Sequence, residues 1–572
     1  MTNICTKVTV RKRPIKNGQT SLYLDFYPPI RNPKTGKLSR REYLGLYIYT
    51  NPVERFQQEY NKSMIQKAEI IKCRRTESII NEEYGFLDRN KGKESFLEYF
   101  KNLMIERGSS QNWATAYMHF HNYTHGECRF CDLTVPYCQG FLDYLLSDAC
   151  MHNGKRMMGT TANNKLEKFH KAGRNVMLVI GNGRMITRDA SSAFFENGAV
   201  AMDGNTIKMV GVTDEVKKTY PDAEFVDAHG GIIMPAFINA HEHIYSAFAR
   251  GLSVNGYAPK GFLDILDGMW WNIDRHLTLE QTKLSAYATY IDSIKNGVTT
   301  VFDHHASFGH ITGSLSAIEE AAKDLGVRTC LCYEISDRDG MEKSRESVME
   351  NVNFIRHVQK EDSDMLAAMM GMHASFTISD ETMELCNELK PEGVGYHIHV
   401  AEGIYDLHQC LKEHSKRIVD RLYDWNILGP KTLLGHCIYI NEHEMDLIKE
   451  TDTMVVHNPE SNMGNACGCP PTMELVHKGI VTGLGTDGYT HDMLESWKVA
   501  NILHKHHLCD PNAAWGEVPK MLFENNAVIA NRYFKKPLGV LKEGAAADVI
   551  VMDYNPLTPM RADNVNGHLL FG

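Results

Sequence analysis

The chain has 572 residues, of which 43% are hydrophobic, and a formal net charge of −10. It is too long for one ordinary domain and has the apolar content of a globular protein. No apolar run reaches the roughly 18–20 residues that a membrane-spanning helix needs, and the basic segment Met1–Arg13 lacks the apolar core of a signal peptide. The 14 cysteines are too scattered for a disulfide framework, which favours a reducing cytoplasm.

The charge is distributed unevenly along the chain. Residues 1–172 contain 27 Lys and Arg against 17 Asp and Glu, a net charge of +10, whereas the remainder carries −20. A basic segment of this size favours binding to nucleic-acid phosphates through the release of bound counterions. The alternative is a basic face that contacts only solvent, and charge alone does not decide between the two.

The N-terminal segment begins with strand patterns and continues with helical ones. Three alternating, β-prone runs are separated by turn residues: Lys7–Arg13, Ser21–Tyr27 and Arg41–Tyr49. They predict a small basic sheet, and a helical pattern follows from Asn51 to Asp88. Short helices are then predicted at Ser95–Arg107, Trp113–Asn122, Val135–Ser147 and Thr161–Ala172.

This segment resembles the N-terminal half of Bacteroides-type tyrosine recombinases, the phage integrases, through Arg11–Phe26, Leu133–Leu145 and Thr160–Phe169. The resemblance implies an arm-type sheet and helix in residues 1–90 and a helical, SAM-like core-binding domain in residues 91–172. It implies DNA contacts from Arg11, Lys12, Arg13 and Lys16. The arginine, H-x-x-R and tyrosine that recombinases use for catalysis have no counterpart downstream, so DNA binding without strand exchange is expected.

A cysteine pair in this region has two interpretations. Cys128 and Cys131 are spaced as C-x-x-C, with Cys138, His121 and His125 nearby. A zinc knuckle usually needs a second spaced pair. Because the helical pattern runs on through Cys138, a packed helix is the favoured interpretation.

The sequence pattern changes abruptly between Ala172 and Val176. A new β pattern begins at Met177, with no Gly/Ser/Pro-rich linker before it. The pattern continues in Gly198–Met202, Thr206–Val210 and Phe225–Asp227. An internal methionine at such a join is typical of a former initiation site, so we interpret the chain as a gene fusion, or two neighbouring genes read as one, with a functionally idle first part.

Six short segments farther along each follow an apolar, β-prone run and carry His, Glu or Asp. They are NAHEH (Asn239–His243), GMHASF (Gly371–Phe376), HIHVAE (His397–Glu402), LGHC (Leu434–Cys437), HNPESN (His457–Asn462) and GLGTDG (Gly483–Gly488). A (β/α)8 barrel builds its active site at the C-terminal ends of its strands. The segments therefore predict an α/β chain with a TIM barrel that carries a metal-dependent hydrolytic site.

The spacing within these segments indicates metal ligands. His241 and His243 are two residues apart, so on a strand both point to one face and can chelate one ion. His397 and His399 are related in the same way, and spacing does not choose between them. Asp487 can ligate a metal and accept a proton from water. Imidazoles and a carboxylate around an open position suit Zn²⁺, with Fe²⁺ as the alternative.

From Met177 onward the motifs resemble the amidohydrolase superfamily, in particular the aminohydrolases linked to selenate and purine metabolism, relatives of chlorohydrolase and guanine deaminase. The resemblance implies a β-sandwich from residues 177–234 and 538–572, flanking a TIM barrel at 235–537. The implied barrel strands are Ala236–His243, Val298–His304, Arg328–Glu334, Leu366–His373, Gly395–Glu402, Thr432–Tyr439, Thr453–Asn458 and Ile480–Asp487.

The family pattern H-x-x-E assigns the third metal ligand to His399 and the general acid to Glu402. It implies that His436 hydrogen-bonds the attacking water and that His373 contacts the substrate, as in deaminases. The strand-4 motif has no lysine for a carbamate bridge between two metals, which favours a mononuclear, deaminase-like site.

The substrate is less readable than the chemistry. Trp270 could stack on a planar heterocycle or simply pack its loop, while His304, Ser461 and Asn462 are expected near the pocket. We expect deamination of a purine-like heterocycle by a zinc-activated hydroxide, in a chain that could dimerise by analogy with relatives. The alternatives are ring opening or dechlorination at the same centre, or a DNA-binding recombinase fragment fused to an inactive hydrolase.

The C-terminal segment departs from the family pattern. Gly544–Met552 has the sequence of the strand that returns into the sandwich. Relatives continue for some tens of residues past the position of Gly572, so a truncated sandwich with an unpaired strand edge is expected.

Overall fold

A computed structural model of the chain describes residues 177–572 without interruption. Before residue 177 it describes residues 7–15, 19–31, 38–50, 95–106 and 111–129, with shorter pieces between residues 52 and 156. The chain divides into two compact units, Met1–Gly173 and Arg174–Gly572.

The N-terminal unit contains the predicted antiparallel sheet. Its strands β1 (Lys7–Pro14), β2 (Gln19–Arg31) and β3 (Leu38–Tyr49) pair in sequence order. Helices α1 (Phe96–Glu106) and α2 (Gln111–Tyr123) share a buried aromatic core, and a two-stranded pair follows, β4 (Met151–His152) with β5 (Lys155–Arg156).

Other expectations for this unit fall where the chain is not described. Most of the predicted helix Asn51–Asp88, most of Val135–Ser147 and all of Thr161–Ala172 lie outside the described residues, as do Cys131 and Cys138.

The second unit begins with a mixed sheet. Its first strands are β6 (Leu178–Ile186), β7 (Phe194–Asp203), β8 (Thr206–Val212), β9 (Glu224–Asp227) and β10 (Ile232–Pro235). Strand β6 lies at the centre, antiparallel to β7 and parallel to β9 and β10.

Parallel strands that alternate with helices follow. They are β11 (Phe237–Glu242), β12 (Val298–His305), β13 (Arg328–Tyr333), β14 (Leu366–Ala368), β15 (Met370–Ala374), β16 (Tyr396–Val400), β17 (Leu433–His436), β18 (Met454–His457) and β19 (Thr482–Leu484). Each of the eight strand segments predicted from the sequence coincides with one of these strands to within a residue or overlaps it, and the fourth segment corresponds to β14 and β15 together.

The strand pairing brings the first and last segments side by side. The pairing runs β11-β12-β13-β14 and β15-β16-β17-β18-β19. Isolated parallel bridges join Ile335 to Met372 and Glu242 to Asp487. Almost every residue of these strands is buried, as expected for parallel strands covered on both faces.

Helices occupy the connections of this unit. They are α3 (Thr213–Thr219), α4 (Phe262–Ile265), α5 (Trp271–Asp274), α6 (Leu279–Lys295), α7 (Ser314–Leu325), α8 (Met341–Glu361), α9 (Asp380–Leu389), α10 (Ile404–His414), α11 (Ile418–Asp424), α12 (Glu442–Glu450), α13 (Pro459–Gly464), α14 (Thr472–His477), α15 (Met493–Leu508), α16 (Glu517–Lys520) and α17 (Asn526–Asn531). Capping boxes at Thr278 and Asn441 fix the starts of α6 and α12. Among the described residues, no helix is long and apolar enough to cross a membrane.

The C-terminal segment returns to the mixed sheet. Strand β20 (Val549–Met552) pairs antiparallel with β10 and completes six strands in one sheet. A helix that the sequence analysis did not predict, α18 (Val565–Phe571), follows and buries Val565, Leu569 and Leu570.

A buried ion pair ties this returning segment to the parallel strands. The side chain of Arg328 on β13 is 3% exposed, and its Nη2 lies 2.8 Å from Asp548 Oδ2. The other carboxylate oxygen of Asp548 accepts a 2.6 Å hydrogen bond from Thr299 Oγ1. A guanidinium this deep in the protein needs a close charged partner, and without Asp548 only Asp364 remains, 3.9 Å from Nη1 of Arg328.

We therefore expect Asp548→Ala to lower the free energy of unfolding by about 3 kcal/mol, measured by urea unfolding followed by tryptophan fluorescence. The matched control is Asp563→Ala, which removes a carboxylate that is 73% exposed beside Arg561 and should change stability by less than about 0.5 kcal/mol. Equal effects of the two substitutions would contradict this account of the C-terminal segment.

Candidate metal centre and active site

Five side chains from four strand ends meet at one point. They are His241 and His243 at the end of β11, His399 on β16, His436 at the end of β17 and Asp487 after β19. His243 Nε2 lies 3.3 Å from His399 Nε2 and 3.1 Å from Asp487 Oδ1. The ligand atoms of His241, His243 and His399 lie within 4.8 Å of one another, as do those of His241, His436 and Asp487. All five residues are buried.

The second nitrogen of two of these rings is anchored by a backbone carbonyl. His243 Nδ1 lies 2.6 Å from the carbonyl oxygen of His304, and His399 Nδ1 lies 2.9 Å from that of His373. A carbonyl only accepts hydrogen bonds, so each Nδ1 carries the proton. In a neutral ring each Nε2 then directs a lone pair at the cluster, as metal-binding histidines do. Burial opposes protonation of His243, but Asp487 outweighs it and raises the pKa of His243 to about 10, so a bound metal would displace a proton from this Nε2.

His241 and His436 complete the cluster with unpartnered atoms. The Nε2 atoms of both rings are buried and have no hydrogen-bond partner. A buried polar atom without a partner costs free energy unless something fills its place. Beside the carboxylate of Asp487, the Nε2 atom of His241 fits a bound metal ion, and that of His436 fits a water molecule next to the ion.

The structure separates the two histidines of β16. His399 faces the cluster, whereas His397 lies behind His241, with its Nε2 2.9 Å from His241 Nδ1. His397 Nδ1 in turn lies 3.7 Å from Cys332 Sγ. His397 is thus placed to support a ligand.

The backbone is strained where the strands deliver these groups. Ala401, His436, Cys437 and Asp487 have φ angles of 50°, 68°, 53° and 54°. Left-handed conformations cost non-glycine residues free energy and concentrate at functional sites. Here they occur just where strands β16, β17 and β19 end.

Glu402 and Asp487 are kept in different protonation states. Burial, reinforced by the charge of Asp487, raises the pKa of Glu402 well above its usual value of 4.5. Burial also opposes ionisation of Asp487, but His243, His241 and His436 outweigh it and lower its pKa well below 3.8. Since Glu402 Oε2 lies 3.4 Å from His436 Nε2, a protonated and an ionised carboxyl group flank the same imidazole.

A cavity opens onto this cluster. Its walls include the predicted substrate residues His373, Trp270 and Ser461, together with Glu402 and Asp487. A second, more apolar cavity of about 240 Å³ adjoins it and shares His373 and Glu402; its other walls include Phe262, Phe376 and Ile404. The first cavity is narrow, about 40 Å³, and the second supplies the room for a planar ring or an apolar substituent.

Two residues predicted near the substrate lie behind the wall instead. His304 is fully buried, and its Nε2 lies 3.0 Å and 3.1 Å from the carbonyl oxygens of Met372 and His397. Asn462 is also fully buried, and its Oδ1 lies 2.8 Å from His436 Nδ1. The carbonyls of neighbouring strands hold His304 inside the sheet, so both residues position other groups and do not line the cavity.

The sequence analysis missed Glu334, a cavity residue. It follows β13 directly, is 3% exposed and lies on the cavity wall beside His373 and His399. Its position at the end of a predicted strand is the same signal that identified the other site residues.

A chain of buried hydrogen bonds leads from His436 away from the cavity. Asn462 Nδ2 lies 3.4 Å from His457 Nδ1, and His457 Nε2 lies 3.2 Å from His504 Nε2. His504 Nδ1 then lies 3.6 Å from Cys469 Sγ. Because opposite nitrogens of His504 face His457 and Cys469, these residues do not surround a common point and do not form a second metal site.

The burial of His504 in this series of hydrogen bonds predicts that the free energy of unfolding falls as the pH is lowered. Burial, with a smaller contribution from His507, lowers the pKa of His504 from 6.5 to about 4. Below pH 6.5 the unfolded chain takes up a proton that the folded protein excludes until about pH 4. Stability from this group is therefore complete above pH 6.5 and lost between pH 6.5 and 4, by up to about 3 kcal/mol.

The expected result is that His504→Gln flattens the fall in unfolding free energy between pH 6.5 and 4, measured by urea unfolding with a chelator present. His408→Gln, on the exposed face of α10, serves as the control and should keep the wild-type profile. Parallel wild-type and His504→Gln profiles would count against the assignment.

The basic residues of the N-terminal unit are accessible where they are described. Arg11, Lys12 and Arg13 are exposed on β1. Arg11 lies 3.7 Å from Asp25, and Arg13 donates a 2.8 Å hydrogen bond to the Tyr43 hydroxyl. Lys16 lies outside the described residues.

Comparison with known proteins decides the family. Residues 232–570 match the amidohydrolase family. The chain belongs to the amidohydrolase family. In the N-terminal unit, residues 8–89 match an arm DNA-binding domain and residues 95–175 match a phage integrase SAM-like domain, so both predicted resemblances are confirmed.

Sequence relatives of this amidohydrolase are deaminases. A 5-methylthioadenosine/S-adenosylhomocysteine deaminase of Thermococcus onnurineus is 30% identical over 372 residues, which cover 64% of this chain and 83% of the relative. A 5'-deoxyadenosine deaminase of Methanosarcina mazei is 29% identical over 404 residues, covering 69% of this chain and 88% of the relative. The amidohydrolase is thus an enzyme of the hydrolase class.

Solved structures confirm the predicted fold of TIM-barrel type. An adenosine deaminase from Xanthomonas campestris with bound zinc is 20% identical, with a TM-score of 0.61, and the match covers 69% of this chain and 89% of that one. Guanine deaminase from E. coli is also 20% identical, with a TM-score of 0.58 and coverage of 68% and 94%.

Proposed function

We propose that the amidohydrolase unit deaminates a purine-like heterocycle at a single metal ion, in the first instance zinc. The observation that carries this proposal is the clustering of His241, His243 and His399, with the carboxylate of Asp487 3.1 Å from His243 Nε2. The deaminase relatives and the zinc in a structure of the same fold support it.

The four converging side chains would hold the ion. Three imidazoles and one carboxylate are a common donor set for catalytic zinc with an open position for water. A bound zinc ion supplies the Lewis acidity that makes water nucleophilic near neutral pH. The carbonyls behind His243 and His399 fix those rings in the required tautomer.

The remaining groups move protons. Asp487, ionised in the site, accepts a proton from the attacking water. Glu402, protonated by virtue of its burial, donates its proton to a ring nitrogen or to the departing amine. His436 lies between them, 3.4 Å from Glu402 and 3.6 Å from Asp487, where its Nε2 orients the water. Water and an amino-heterocycle thus become an oxo-heterocycle and ammonia.

We also propose an architecture for the whole chain. The eight strand segments between residues 235 and 537 close as a barrel, with the bridge between Glu242 and Asp487 as the last contact. The mixed sheet of residues 177–234 and 538–572 is the flanking sandwich portion. Residues 1–90 and 91–172 form the arm-type and core-binding domains.

The metal proposal predicts loss of both metal and activity from one substitution. His241→Ala or Asp487→Ala should reduce bound zinc from about one equivalent to a small fraction and ammonia release by at least about 10³-fold, because either change removes a ligand. Metal analysis and an ammonia assay over a panel of purines and pyrimidines measure the two effects.

A histidine elsewhere provides the matched control. His276→Ala removes an exposed imidazole and should leave metal content and turnover unchanged. Wild-type metal content in His241→Ala and Asp487→Ala would contradict the ligand assignment. Bound metal with chloride release or ring opening, but without ammonia, would replace deamination with the alternative chemistry.

A second function is favoured by the family matches of the N-terminal unit. We propose that residues 1–172 bind DNA by neutralising its phosphates, because this segment carries a net charge of +10 and matches two domains of DNA-binding proteins. Arg11, Lys12 and Arg13 on β1 are the exposed cations that support it.

A triple alanine variant of the full chain, at Arg11, Lys12 and Arg13, should bind a short mixed-sequence DNA duplex more weakly than wild type. The slope of log K against log salt concentration should become shallower by about 0.9 for each phosphate that the variant no longer neutralises. The control replaces Lys208, Lys217 and Lys218, three exposed lysines of the second unit, and should leave binding intact. Identical salt slopes for wild type and the β1 variant would contradict the proposal.

A further inference from the structure

Glu334 is a buried carboxylate on the wall of the active-site cavity for which the proposed chemistry has no role. It comes directly after β13, next to Ile335, whose bridge to Met372 links this strand to the fourth segment. An ionised carboxylate has about four sites for accepting hydrogen bonds. A residue this deep is costly to keep in a cavity unless its oxygens receive donors.

Neither oxygen of this carboxylate receives a well-formed hydrogen bond from the protein. Oε2 lies 3.5 Å from His304 Nδ1, an atom without a hydrogen-bond partner. Oε1 lies 4.0 Å from Arg338 Nη2 and 4.0 Å from His373 Nε2, both beyond hydrogen-bond distance. Arg338 is itself held 2.5 Å from Asp274, so its Nη2 already serves another carboxylate.

His373 presents a second acceptor beside Oε1. The hydroxyl of Thr377 donates to the carbonyl oxygen of Ala374 at 3.1 Å, so its oxygen accepts from His373 Nδ1 at 2.7 Å. With the proton on Nδ1, His373 Nε2 has a lone pair and can only accept a hydrogen bond. An imidazole nitrogen and a carboxylate oxygen therefore face the cavity 4.0 Å apart with no donor between them.

The pair lies within reach of the reacting carbon of a substrate. Ligand atoms of Glu334, His373 and His399 are within 4.8 Å of one another, as are those of Glu334, His304 and His243. Glu334 thus adjoins the ligand cluster on the side of the third and fourth strand segments. Glu402, on the side of His436, is the group that donates a proton.

We infer that Glu334 is a substrate-recognition residue. Its carboxylate accepts a hydrogen bond from a ring N–H of the substrate, next to the carbon under attack. The inference rests on the proposed deamination, because it places Glu402 and Glu334 on either side of one ring. Glu402 protonates a ring nitrogen that has a lone pair. On the other side of the ring, Glu334 and His373 Nε2 accept a hydrogen bond from a ring N–H. The substrate class is then a 2-amino-4-oxo heterocycle, in which the amino-bearing carbon lies between an unprotonated ring nitrogen and a ring N–H.

Aminopurines of the adenine type lack this pattern. In adenine the amino-bearing carbon has a bare ring nitrogen on one side and a carbon on the other. Such a ring leaves the carboxylate of Glu334 without a donor, which a buried polar site rejects strongly. Glu334 therefore selects against adenine-type rings and for guanine-type rings.

The test uses ligands that share the amino position and differ in the ring N–H. Isocytosine and guanine carry it, whereas 2-aminopyrimidine and 2-aminopurine lack it. Adenosine is included to represent the adenine-type rings. Ammonia release gives kcat/KM for each ligand with wild type and Glu334→Gln, and calorimetry gives the equilibrium binding of the same ligands to the zinc-loaded proteins. Comparing the two proteins cancels the intrinsic reactivities of the ligands.

The expected result is that Glu334→Gln lowers the preference for isocytosine over 2-aminopyrimidine at least tenfold, with unchanged zinc content and melting temperature. Glu381→Gln, a carboxylate that is 63% exposed on α9, should keep the wild-type preference. A preference that is the same in Glu334→Gln and wild type, or turnover of adenine-type rings by wild type in place of isocytosine and guanine, would overturn the inference.

The two proposals fail in different ways. Ammonia from adenosine alone would leave deamination standing and remove the role of Glu334. If no ligand releases ammonia, the proposal of deamination is wrong. The binding data then still test whether Glu334 recognises the ring N–H. Tenfold weaker binding of isocytosine to Glu334→Gln then supports recognition by Glu334, and equal binding refutes it.

Discussion

The active site depends on the orientation of its imidazole rings. An imidazole has two nitrogens, and only the one without a proton can bind a metal. In this chain the carbonyl oxygens of His304 and His373 receive the Nδ1 protons of His243 and His399, and His397 lies against Nδ1 of His241. The acceptors behind the rings thus decide what the cluster in front of them can hold.

The parallel strands make this arrangement possible. Neighbouring parallel strands bring their C-terminal ends to one edge, so that a side chain at one strand end lies beside the backbone of a neighbouring strand. The carbonyl that anchors His243 belongs to β12, and the one that anchors His399 belongs to β15. The same residues that follow the pattern of a strand therefore also supply the hydrogen bonds that orient the site. Left-handed φ angles at His436 and Asp487 turn these side chains towards the cluster where their strands end.

The sequence brought out the candidate site residues more clearly than it predicted what they contact. Strand ends rich in His, Asp and Glu are a local signal, and they identified His241, His243 and Asp487 without knowledge of packing. Spacing alone could not separate His397 from His399, because both lie on one face of β16, and only the ring of His241 distinguishes them. His304 and Asn462 carry the expected side chains, but neighbouring strands and His436 engage them behind the cavity.

Other features depend on tertiary packing that no local pattern records. Glu334 has the same strand-end position as the other candidate site residues, but its contacts with His304, His373 and Arg338 arise only from packing. The final helix α18 was missed because its short segment has little periodicity, and its stability comes from burying Val565, Leu569 and Leu570.

The central claim is that four particular side chains enclose one metal ion, and anomalous diffraction at the zinc absorption edge from crystals of the zinc-loaded full chain tests it most directly. The account predicts one strong anomalous peak bounded by the Nε2 atoms of His241, His243 and His399 and by Asp487, with His397 outside the coordination sphere. A peak coordinated by Glu334 and His373, or none near β11, would contradict it.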